Sequence, residues 1–351
     1  MRVIWCIFFL LMILPCLSNA RNALLVVDHT CTYLNQIPML WIDSAQSVIK
    51  WHYATTSDGE QIRYGLDSLE LALPVYNVEL GKKYLPYVLD ALNIFFGNEG
   101  TTYIEPQQYW STTTGMNLTR AVLLHNPRIN VSSFSWCTQL SSATEAYVDA
   151  YLDSMTVLEN EFPNVTFVYQ TSNARSEGAA KNRSLRNKQI RDYCIANNKV
   201  LFDFEELDCS WFNPATQEWE YYMILLNGVY YPARHPQYSL SEVVAHTTWT
   251  NCKQKAKATW WMMACLAGWT GTTTVDVPPV TPSLEIFPNP FSSILNIRAS
   301  DEVDIFDVNG RLVNKIHAGI WQPVNMQGLA LTSGVYYFKC GNVVKKGVFL
   351  K

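Results

Sequence analysis

Apolar and polar residues alternate along this chain with two different periods, and the two patterns divide it into two parts. Between residues 47 and 267, short apolar runs with strand composition are followed by longer segments whose apolar residues recur at helical spacing. This order predicts an α/β domain with a mainly parallel sheet and flanking helices. From residue 283 to 351, short runs alternate strictly and are separated by Pro, Asn-Gly or Ser-Gly, which predicts a small β-sandwich.

The first part contains four predicted strands and four predicted helices. The strands cover residues 47–56, 129–136, 165–170 and 200–204. The helices cover residues 59–71, 142–160, 188–197 and 250–267. Ser142 and Glu145 have the spacing of a capping box, so we expect them to begin the second of these helices.

The beginning of the chain predicts a secretory signal. Arg2 precedes an apolar run over residues 3–17, and Ser18-Asn19-Ala20 supplies the small residues that a signal peptidase reads. The run is too short to span a bilayer stably. We therefore expect residues 1–20 to be cleaved, with no transmembrane segment in the mature chain.

A change of composition predicts the boundary between the two folded parts. Residues 272–282 are rich in Thr and Pro and show no apolar periodicity, which is typical of an extended linker. The expected organisation is then an α/β domain over residues 21–271 and a β-sandwich over residues 283–351.

Charge and cysteine content exclude some classes of function. The formal net charge is −4 with acidic and basic residues mixed, so the chain lacks the basic stripe that nucleic-acid binding needs, and we expect no nucleic-acid partner. Seven cysteines follow the signal peptide without a C-x-x-C pair, so no metal site is indicated. An exported chain can keep disulfides, and Cys209–Cys252 is one pairing that we consider.

Polar residues follow the first two predicted strands at the edge where parallel sheets bind their ligands. Ser57 lies between a strand and a helix N-terminus, where its hydroxyl can act as a nucleophile and the helix end favours developing negative charge. The alternative is that Ser57 or Asp58 only caps the helix. After the second strand, Gln139 can donate an amide hydrogen bond to an oxyanion, whereas Cys137 can equally be a small buried residue.

A histidine precedes the last predicted helix. His246 can take the proton of a serine hydroxyl and return it to a leaving group, and Glu242 lies four residues before it. A single histidine is more often structural, but this position favours His246 over the other histidines. The fourth predicted strand ends among acidic residues, any of which can be a solvated loop charge.

The C-terminal part resembles the type A C-terminal sorting domain of the type IX secretion system. The resemblance rests on F-P-N-P-F at residues 287–291, I-F-D-V-N-G-R-L-V at residues 305–313, G-V-Y-Y at residues 334–337 and a Lys-rich closing strand. It implies a Bacteroidetes-type host and export across the outer membrane by the type IX secretion machinery. It also implies that this domain is removed during export, leaving a secreted or surface-attached protein.

The order of polar groups in the first part resembles the SGNH/GDSL hydrolase superfamily, whose fold is flavodoxin-like. The chain also resembles a group of secreted bacterial proteins that share S-W-C-x-Q, R-N-x-Q-I-R-x-Y-C with V-L-x-D-F, and A-H-T followed by W-W and L-A-G-W. Those motifs stand here at residues 135–139, 186–204 and 245–269.

The resemblance implies a serine esterase that needs no cofactor. Ser57 would attack the ester and His246 would act as the base, oriented by Glu242 or a backbone carbonyl. The Ser57 N–H with Gln139 and Gly115 would hold the oxyanion.

Three departures from the resemblance bear on activity. The group often has G-H-T-S-H-G-S-Q around the serine, where this chain has A-T-T-S-D-G-E-Q at residues 54–61. The acid of the superfamily's Asp-x-x-His is replaced by Val243. The oxyanion block Gly-x-Asn-Asp is replaced by Cys-Thr-Gln at residues 137–139.

Three functions follow as hypotheses. The first is an esterase acting on an acylated carbohydrate or a similar ester, since many loop-like stretches are rich in aromatic residues that suit sugar rings. The second is a non-catalytic surface protein that binds glycans or a host on a degenerate hydrolase fold. The third is a cysteine enzyme that uses Cys137 and His246.

Overall fold

The structure is a computed structural model. It describes residues 24–175, 177–271, 284–299, 302–316, 319–325, 328, 331–341 and 343–351. The predicted signal peptide and linker lie outside these residues. The chain divides into two compact units, one formed by residues up to 224 with 231–272, the other by residues 225–230 with the chain from 273 onward.

The first unit is built on a seven-stranded sheet in which every neighbouring pair is parallel. Its spatial order is β1-β7-β6-β5-β2-β4-β3. The strands are β1 Leu25–Val27, β2 Lys50–Thr55, β3 Val78–Lys82, β4 Leu92–Phe96, β5 Val131–Ser135, β6 Thr166–Gln170 and β7 Val200–Phe202.

Helices cover both faces of this sheet. They are α1 Met39–Val48, α2 Glu60–Ala72, α3 Thr113–His125, α4 Glu145–Glu161, α5 Ala180–Ala196, α6 Phe204–Cys209 and α7 Trp249–Leu266. One apolar core holds residues of α1, α2 and α7, and a second core holds residues of α3, α4 and α5. The expected α/β architecture is therefore confirmed.

The central strands are buried on both faces, which explains their apolar composition. In β2, Trp51 and Tyr53 point into the first core and Ala54 into the second. α2 and α7 approach each other closely at Gly65, where a Cβ atom would lie 2.0 Å from the Cys252 carbonyl oxygen. α2 begins three residues after Ser57, and α7 begins three residues after His246.

Several predicted boundaries needed correction. α4 begins after Thr144, whose hydroxyl accepts the Tyr147 N–H, so the expected capping box at Ser142 is wrong. α5 begins at Ala180, eight residues before the predicted start. The sequence patterns do not predict β1, β3, β4, α1, α3 or α6.

The expected pairing of Cys209 with Cys252 is also wrong. Both side chains are fully buried free thiols. Cys209 ends α6 and Cys252 lies in the first turn of α7, and each packs inside the α/β unit without a disulfide.

Two hairpins follow α6. They are formed by β8 Ser210–Asn213 with β9 Glu218–Tyr221, and by β10 Met223–Leu226 with β11 Val229–Pro232.

The second unit is β-rich, as the alternation predicted. Two antiparallel sheets, β12-β13-β16 and β15-β14-β17-β18, contribute residues to one apolar core. The strands are β12 Leu284–Phe287, β13 Ile294–Ala299, β14 Val303–Asp307, β15 Leu312–Ile316, β16 Gly319–Asn325, β17 Gly334–Cys340 and β18 Val343–Phe349.

Among the helices of the described residues, none combines the length and the apolar character needed to cross a bilayer.

Candidate functional site

The candidate site lies at the carboxyl edge of the parallel sheet, where the loops after β2, β5 and β6 meet. β2 pairs with β4 on one side and with β5 on the other, so the connections change direction at this strand. Doubly wound sheets bind ligands at such switch points. Ser57 lies in the short loop between β2 and α2, which is the position that the sequence predicted for it.

Ser57, Asp58 and Cys137 are in contact across two of these loops. Ser57 Oγ lies 3.7 Å from Cys137 Sγ. The Cys137 thiol donates to Asp58 Oδ2, with 2.6 Å between sulfur and oxygen. The backbone N–H of Cys137 donates to Gln139 Oε1 at 2.7 Å, which closes the turn after β5. Side chains therefore hold the loop after β2 to the loop after β5, and Asp58 takes part in this contact.

The loop after β6 adds an amide and a cation to this cluster. Asn173 Nδ2 donates to the Cys137 carbonyl at 2.7 Å, and Asn173 Oδ1 accepts the Arg175 N–H at 3.1 Å. The Arg175 guanidinium then reaches Asp58 Oδ2 at 3.3 Å. The Arg175 side chain is partly exposed, whereas that of Asp58 has no exposed surface. A solvent-accessible cation thus sits next to a buried carboxylate.

A buried ion pair fixes the loop that carries Asn173 and Arg175. Asp208 in α6 accepts the Ala174 N–H at 2.8 Å through Oδ2 and pairs with Lys255 of α7 at 2.6 Å through Oδ1. Burial alone would raise the pKa of Asp208, but Lys255, Arg234 and the hydrogen bonds hold it below the usual value. Asp208 consequently ties the loop after β6 to both α6 and α7.

His246 is held through its backbone by residues of α2 and of the segment after β11. Ala245 and His246 both have left-handed conformations, with φ of 42° and 64°. Gln61 Nε2 of α2 donates to the Ala245 carbonyl at 2.9 Å, and Arg234 donates to the His246 carbonyl. Consecutive left-handed residues other than glycine are strained and persist only where their surroundings hold them. The strained pair consists of the residue that carries the imidazole and the residue before it.

The Asp58 carboxyl is buried from solvent, and its pKa depends on the groups around it. Burial raises its pKa, while the Cys137 thiol, Arg175 and His246 each lower it. Asp58 Oδ1 is buried and makes no hydrogen bond within the described residues. The net effect is a pKa above the usual value, because burial is the largest of these influences.

The structure gives each predicted site residue a definite environment. Within the described residues, no hydrogen bond joins Ser57 to His246, and the Ser57 hydroxyl meets Cys137. Glu242 pairs with Arg234, which also binds the His246 carbonyl, so Glu242 reaches His246 through a cation and its backbone. The roles predicted for these residues stay predictions.

The two predicted oxyanion donors differ in their availability. The Gln139 amide turns its oxygen to the Cys137 N–H, which leaves the NH2 group as the free end of the amide. The Gly115 N–H is already donated to Thr112 Oγ1 at 2.9 Å in the first turn of α3. A Cβ atom at Gly115 would lie 2.4 Å from the Gln107 carbonyl oxygen, so close packing accounts for this glycine.

Sequence reasoning missed the participation of Asp58, Asn173, Arg175 and Arg234. Asp58 was considered only as a helix cap, although it follows Ser57 directly. Asn173 and Arg175 come directly after a predicted strand, and the rule that ligands bind beyond the carboxyl ends of strands points to them. No comparable signal marks Arg234.

One cluster in the described part of the chain has the spacing of metal ligands. The candidate ligand atoms of Asp28, His29 and Glu206 lie within 4.8 Å of one another. However, His29 Nδ1 is 2.5 Å from Glu206 Oε1, and the backbone N–H of His29 donates to Glu206 Oε2 at 2.8 Å. The cluster satisfies its own hydrogen bonds and joins the end of β1 to α6.

Comparison with known proteins identifies the C-terminal unit. Residues 285–348 match the family model of the secretion system C-terminal sorting domain. This part of the chain is a sorting domain. It indicates export to the cell surface or the exterior and implies handling by the type IX secretion machinery, as the sequence motifs predicted. None of the curated protein sequences matches the chain.

Solved structures give only distant likenesses. A calcium-binding mutant of β-glucuronidase 2 from Bacteroides uniformis matches with 8% identity over 65% of this chain and a TM-score of 0.27. The chain spans only 27% of the length of that protein. A double mutant of an endo-β-1,4-mannanase from Cellulomonas fimi matches with 10% identity, 93% and 100% coverage, and a TM-score of 0.22. At such TM-scores these likenesses carry no argument about the α/β unit.

Proposed function

We propose that the α/β unit is an SGNH-like hydrolase that is exported to act on esters, with an acylated carbohydrate as the preferred substrate. Ser57 is the nucleophile and His246 the general base. The observation that carries the proposal is the contact of Ser57 with Cys137 in the loop after β5, which Asn173 joins to the loop after β6 at the switch point of the sheet. The order β4-β2-β5-β6-β7 also supports the SGNH-type, flavodoxin-like topology.

The reaction would proceed in two acyl-transfer steps. Ser57 Oγ attacks the ester carbonyl while His246 accepts the hydroxyl proton, and the same imidazolium then protonates the departing alcohol. Water hydrolyses the acyl-serine by the reverse use of His246. The Ser57 N–H at the start of α2 and the Gln139 NH2 group would stabilise the oxyanion of both tetrahedral intermediates.

The reaction requires a hydrogen bond between Ser57 and His246, which would form on substrate binding. Catalytic hydrogen bonds are often long or poorly aligned before a substrate is present. The carbonyl groups of residues 245 and 246 are fixed by Gln61 and Arg234, so the backbone that carries the imidazole is already held in place.

A pair of substitutions distinguishes a serine enzyme from a cysteine enzyme, because the two candidate nucleophiles lie 3.7 Å apart. The full chain would be assayed with p-nitrophenyl acetate and with acetylated oligosaccharides. We expect Ser57→Ala to lower kcat by about 10⁴ or more. Cys137→Ser keeps a hydrogen-bond donor for Asp58 and should retain most of the turnover. Full turnover by Ser57→Ala would overturn the proposal, and loss of turnover only in Cys137→Ser would assign the reaction to the thiol.

A non-catalytic glycan-binding protein is the second candidate. Two partly exposed aromatic side chains favour it, Tyr103 at 50% and Trp249 at 44%. Ile104, next to Tyr103, donates its N–H to the Thr55 carbonyl at 2.8 Å, and Trp249 follows His246 by three residues. Tyr103 is therefore adjacent in sequence to a residue bonded to the end of β2, and Trp249 is close in sequence to the proposed base. The faces of aromatic side chains suit sugar rings. Glycan binding that survives Ser57→Ala and His246→Ala, without any ester turnover, would favour this function.

A further inference from the structure

One cation of the candidate site is open to solvent and only weakly paired. The Arg175 side chain is 26% exposed, and its guanidinium makes one hydrogen bond within the described residues, from Nη2 to Asp58 Oδ2 at 3.3 Å. A close bond between a guanidinium and a carboxylate is about 2.7–2.9 Å long. Since a guanidinium carries several N–H donors in a planar fork, most of the hydrogen-bonding capacity of Arg175 is available to a ligand.

Two further cations support the same loops, and both are already paired. Lys255 is fully buried, and its ammonium group is bonded to a carboxylate of α6. Arg234 is nearly buried and donates to Glu242 and to the His246 carbonyl. Of these three cations, Arg175 is the one that a ligand can reach from solvent.

The loop after β6 holds Arg175 in place before any ligand binds. The preceding residue, Ala174, is buried, donates its N–H to Asp208 Oδ2 at 2.8 Å, and accepts the Arg234 N–H at its carbonyl at 3.1 Å. The Arg175 N–H itself donates to Asn173 Oδ1 at 3.1 Å. Because a pre-organised loop loses little freedom when a ligand binds, more of the interaction energy is available as affinity.

A second hydrogen-bond donor lies on the neighbouring loop. Gln139 turns its amide oxygen to the Cys137 N–H, and its NH2 group makes no hydrogen bond within the described residues. The Cys137 carbonyl accepts from Asn173, which joins this turn to the loop of Arg175, and Cys137 Sγ lies 3.7 Å from Ser57 Oγ. Donor groups without acceptors therefore flank the proposed nucleophile, and they suit a ligand that carries negatively charged oxygens.

We propose that Arg175 determines substrate specificity by binding a carboxylate on the sugar part of the ester, so that the substrate is an acylated acidic carbohydrate. The guanidinium fork matches the two oxygens of a carboxylate, which a point charge does not. Gln139 remains the donor to the ester oxyanion. The inference rests on the proposed function for the ester, but recognition of the acidic sugar by Arg175 can be measured without turnover.

Asp58 is the group that competes with this carboxylate. It has no exposed surface, so a ligand that arrives from solvent reaches Arg175 and not Asp58. The buried charge nevertheless repels a second carboxylate on the same guanidinium. Asp58→Asn keeps an acceptor for Cys137 and removes this repulsion, so it should raise the affinity for an acidic sugar several-fold.

Binding of unesterified oligosaccharides to the full chain tests the assignment. Isothermal titration calorimetry would compare oligogalacturonate, which carries carboxylates, with neutral xylo-oligosaccharides of the same length. We expect the wild type to bind the acidic sugar at least about tenfold more tightly. Arg175→Gln should abolish this preference, and Arg175→Lys, which keeps the charge without the fork, should retain part of it. Arg120→Gln is the matched control, because Arg120 is also 26% exposed and paired with a carboxylate, Glu161.

The binding outcomes decide the inference. Equal or absent binding of the two sugars by the wild type would overturn it, as would a preference that survives in Arg175→Gln or is lost equally in Arg120→Gln. If Arg175→Gln does not fold, Asp58→Asn remains the test, and an affinity for oligogalacturonate that does not rise would overturn the inference.

Turnover separates the inference from the proposed function. With acetylated oligogalacturonate and acetylated xylo-oligosaccharides, Arg175→Gln should lower the ratio of kcat/KM for the acidic ester over the neutral one about tenfold, mainly through KM. An equal loss for both esters would show a merely structural role and overturn the assignment. If the wild type prefers the acidic sugar through Arg175 but hydrolyses neither ester, recognition stands and the hydrolase proposal falls. If both esters are hydrolysed and Arg175→Gln leaves their ratio unchanged, the hydrolase proposal stands and this inference falls.

Discussion

Charged side chains are arranged differently in the two units of the molecule. In the α/β unit, acidic and basic groups with at most 1% of their surface exposed include Asp58, Arg183, Asp203, Glu205, Glu206, Asp208 and Lys255. In the described part of the sorting domain, ion pairs stay in solvent, as Lys315 does with Glu302 and Asp304. The core of that unit is formed by apolar residues.

This difference indicates where the chemistry of the protein lies. A buried charge is costly unless it is paired and hydrogen-bonded, and even a good pair is seldom more stable than apolar packing. The sorting domain folds without such groups, as a module that only has to be recognised and exported. In the α/β unit two of these groups, Asp58 and Asp208, bond to loops of the candidate site, and perturbed buried charges are typical of functional sites.

The largest effect that tests this comparison is the loss of the buried pair behind the site. Lys255→Met leaves Asp208 as an unpaired buried carboxylate, and we expect the free energy of unfolding to fall by about 3–5 kcal/mol. Lys315→Met removes an exposed partner in the sorting domain and should change stability very little. Urea denaturation of the full chain measures both. Equal effects of the two substitutions would contradict the contrast between the units.

A buried histidine next to the site gives the second test. His52 in β2 lies 2.9 Å from both Ser132 Oγ and the Gly97 carbonyl. The carbonyl can only accept, so Nε2 carries the proton and Nδ1 accepts from Ser132. Burial lowers the pKa of His52 to about 4, and the hydrogen bond to Gly97 opposes this only in part. His52 is therefore neutral in the folded protein.

Stability should consequently decrease as the pH falls from about 6.5 to about 4. In that window the unfolded chain binds a proton at His52 that the folded chain does not, so acid favours unfolding, by at most about 3 kcal/mol. Denaturation at pH 7 and pH 5 should show a shallower pH dependence for His52→Gln than for the wild type. His125→Gln, at an exposed histidine, should leave the dependence unchanged. A steep dependence that survives in His52→Gln would refute the assignment.

The same contrast between the units explains which parts of the fold the sequence predicts. The Asn-Gly turn between β14 and β15 forms as expected, with Gly310 at φ of 76° and its N–H bonded to Asp307. The sequence signal for this turn is local, because strands that pair in the sorting domain are mostly neighbours in sequence. In the α/β unit, β2, β5, β6 and β7 were predicted from apolar runs, whereas the short edge strands β1 and β3 give little periodicity.

The candidate site is non-local, and this is why so little of it could be predicted. Ser57 and His246 were selected because each lies at the junction of a strand or loop with a helix. The partners of Asp58 are 79 and 117 residues away, at Cys137 and Arg175. Only the folded sheet brings these loops together. At Gly115 a Cβ atom would lie 2.4 Å from the Gln107 carbonyl oxygen, a close approach that also depends on the folded chain.

The smallest effect concerns the packing of the two helices that flank the site. Gly65→Ala would force α2 away from α7, because the added Cβ atom would lie 2.0 Å from the Cys252 carbonyl oxygen. Overpacking of this kind costs about 1–3 kcal/mol. Gly178→Ala is the matched control, because its Cβ would meet nothing within 4 Å. Urea denaturation should separate the two variants. Since α2 begins at the Ser57 loop and α7 follows His246, Gly65→Ala should also lower any esterase turnover, while Gly178→Ala should not.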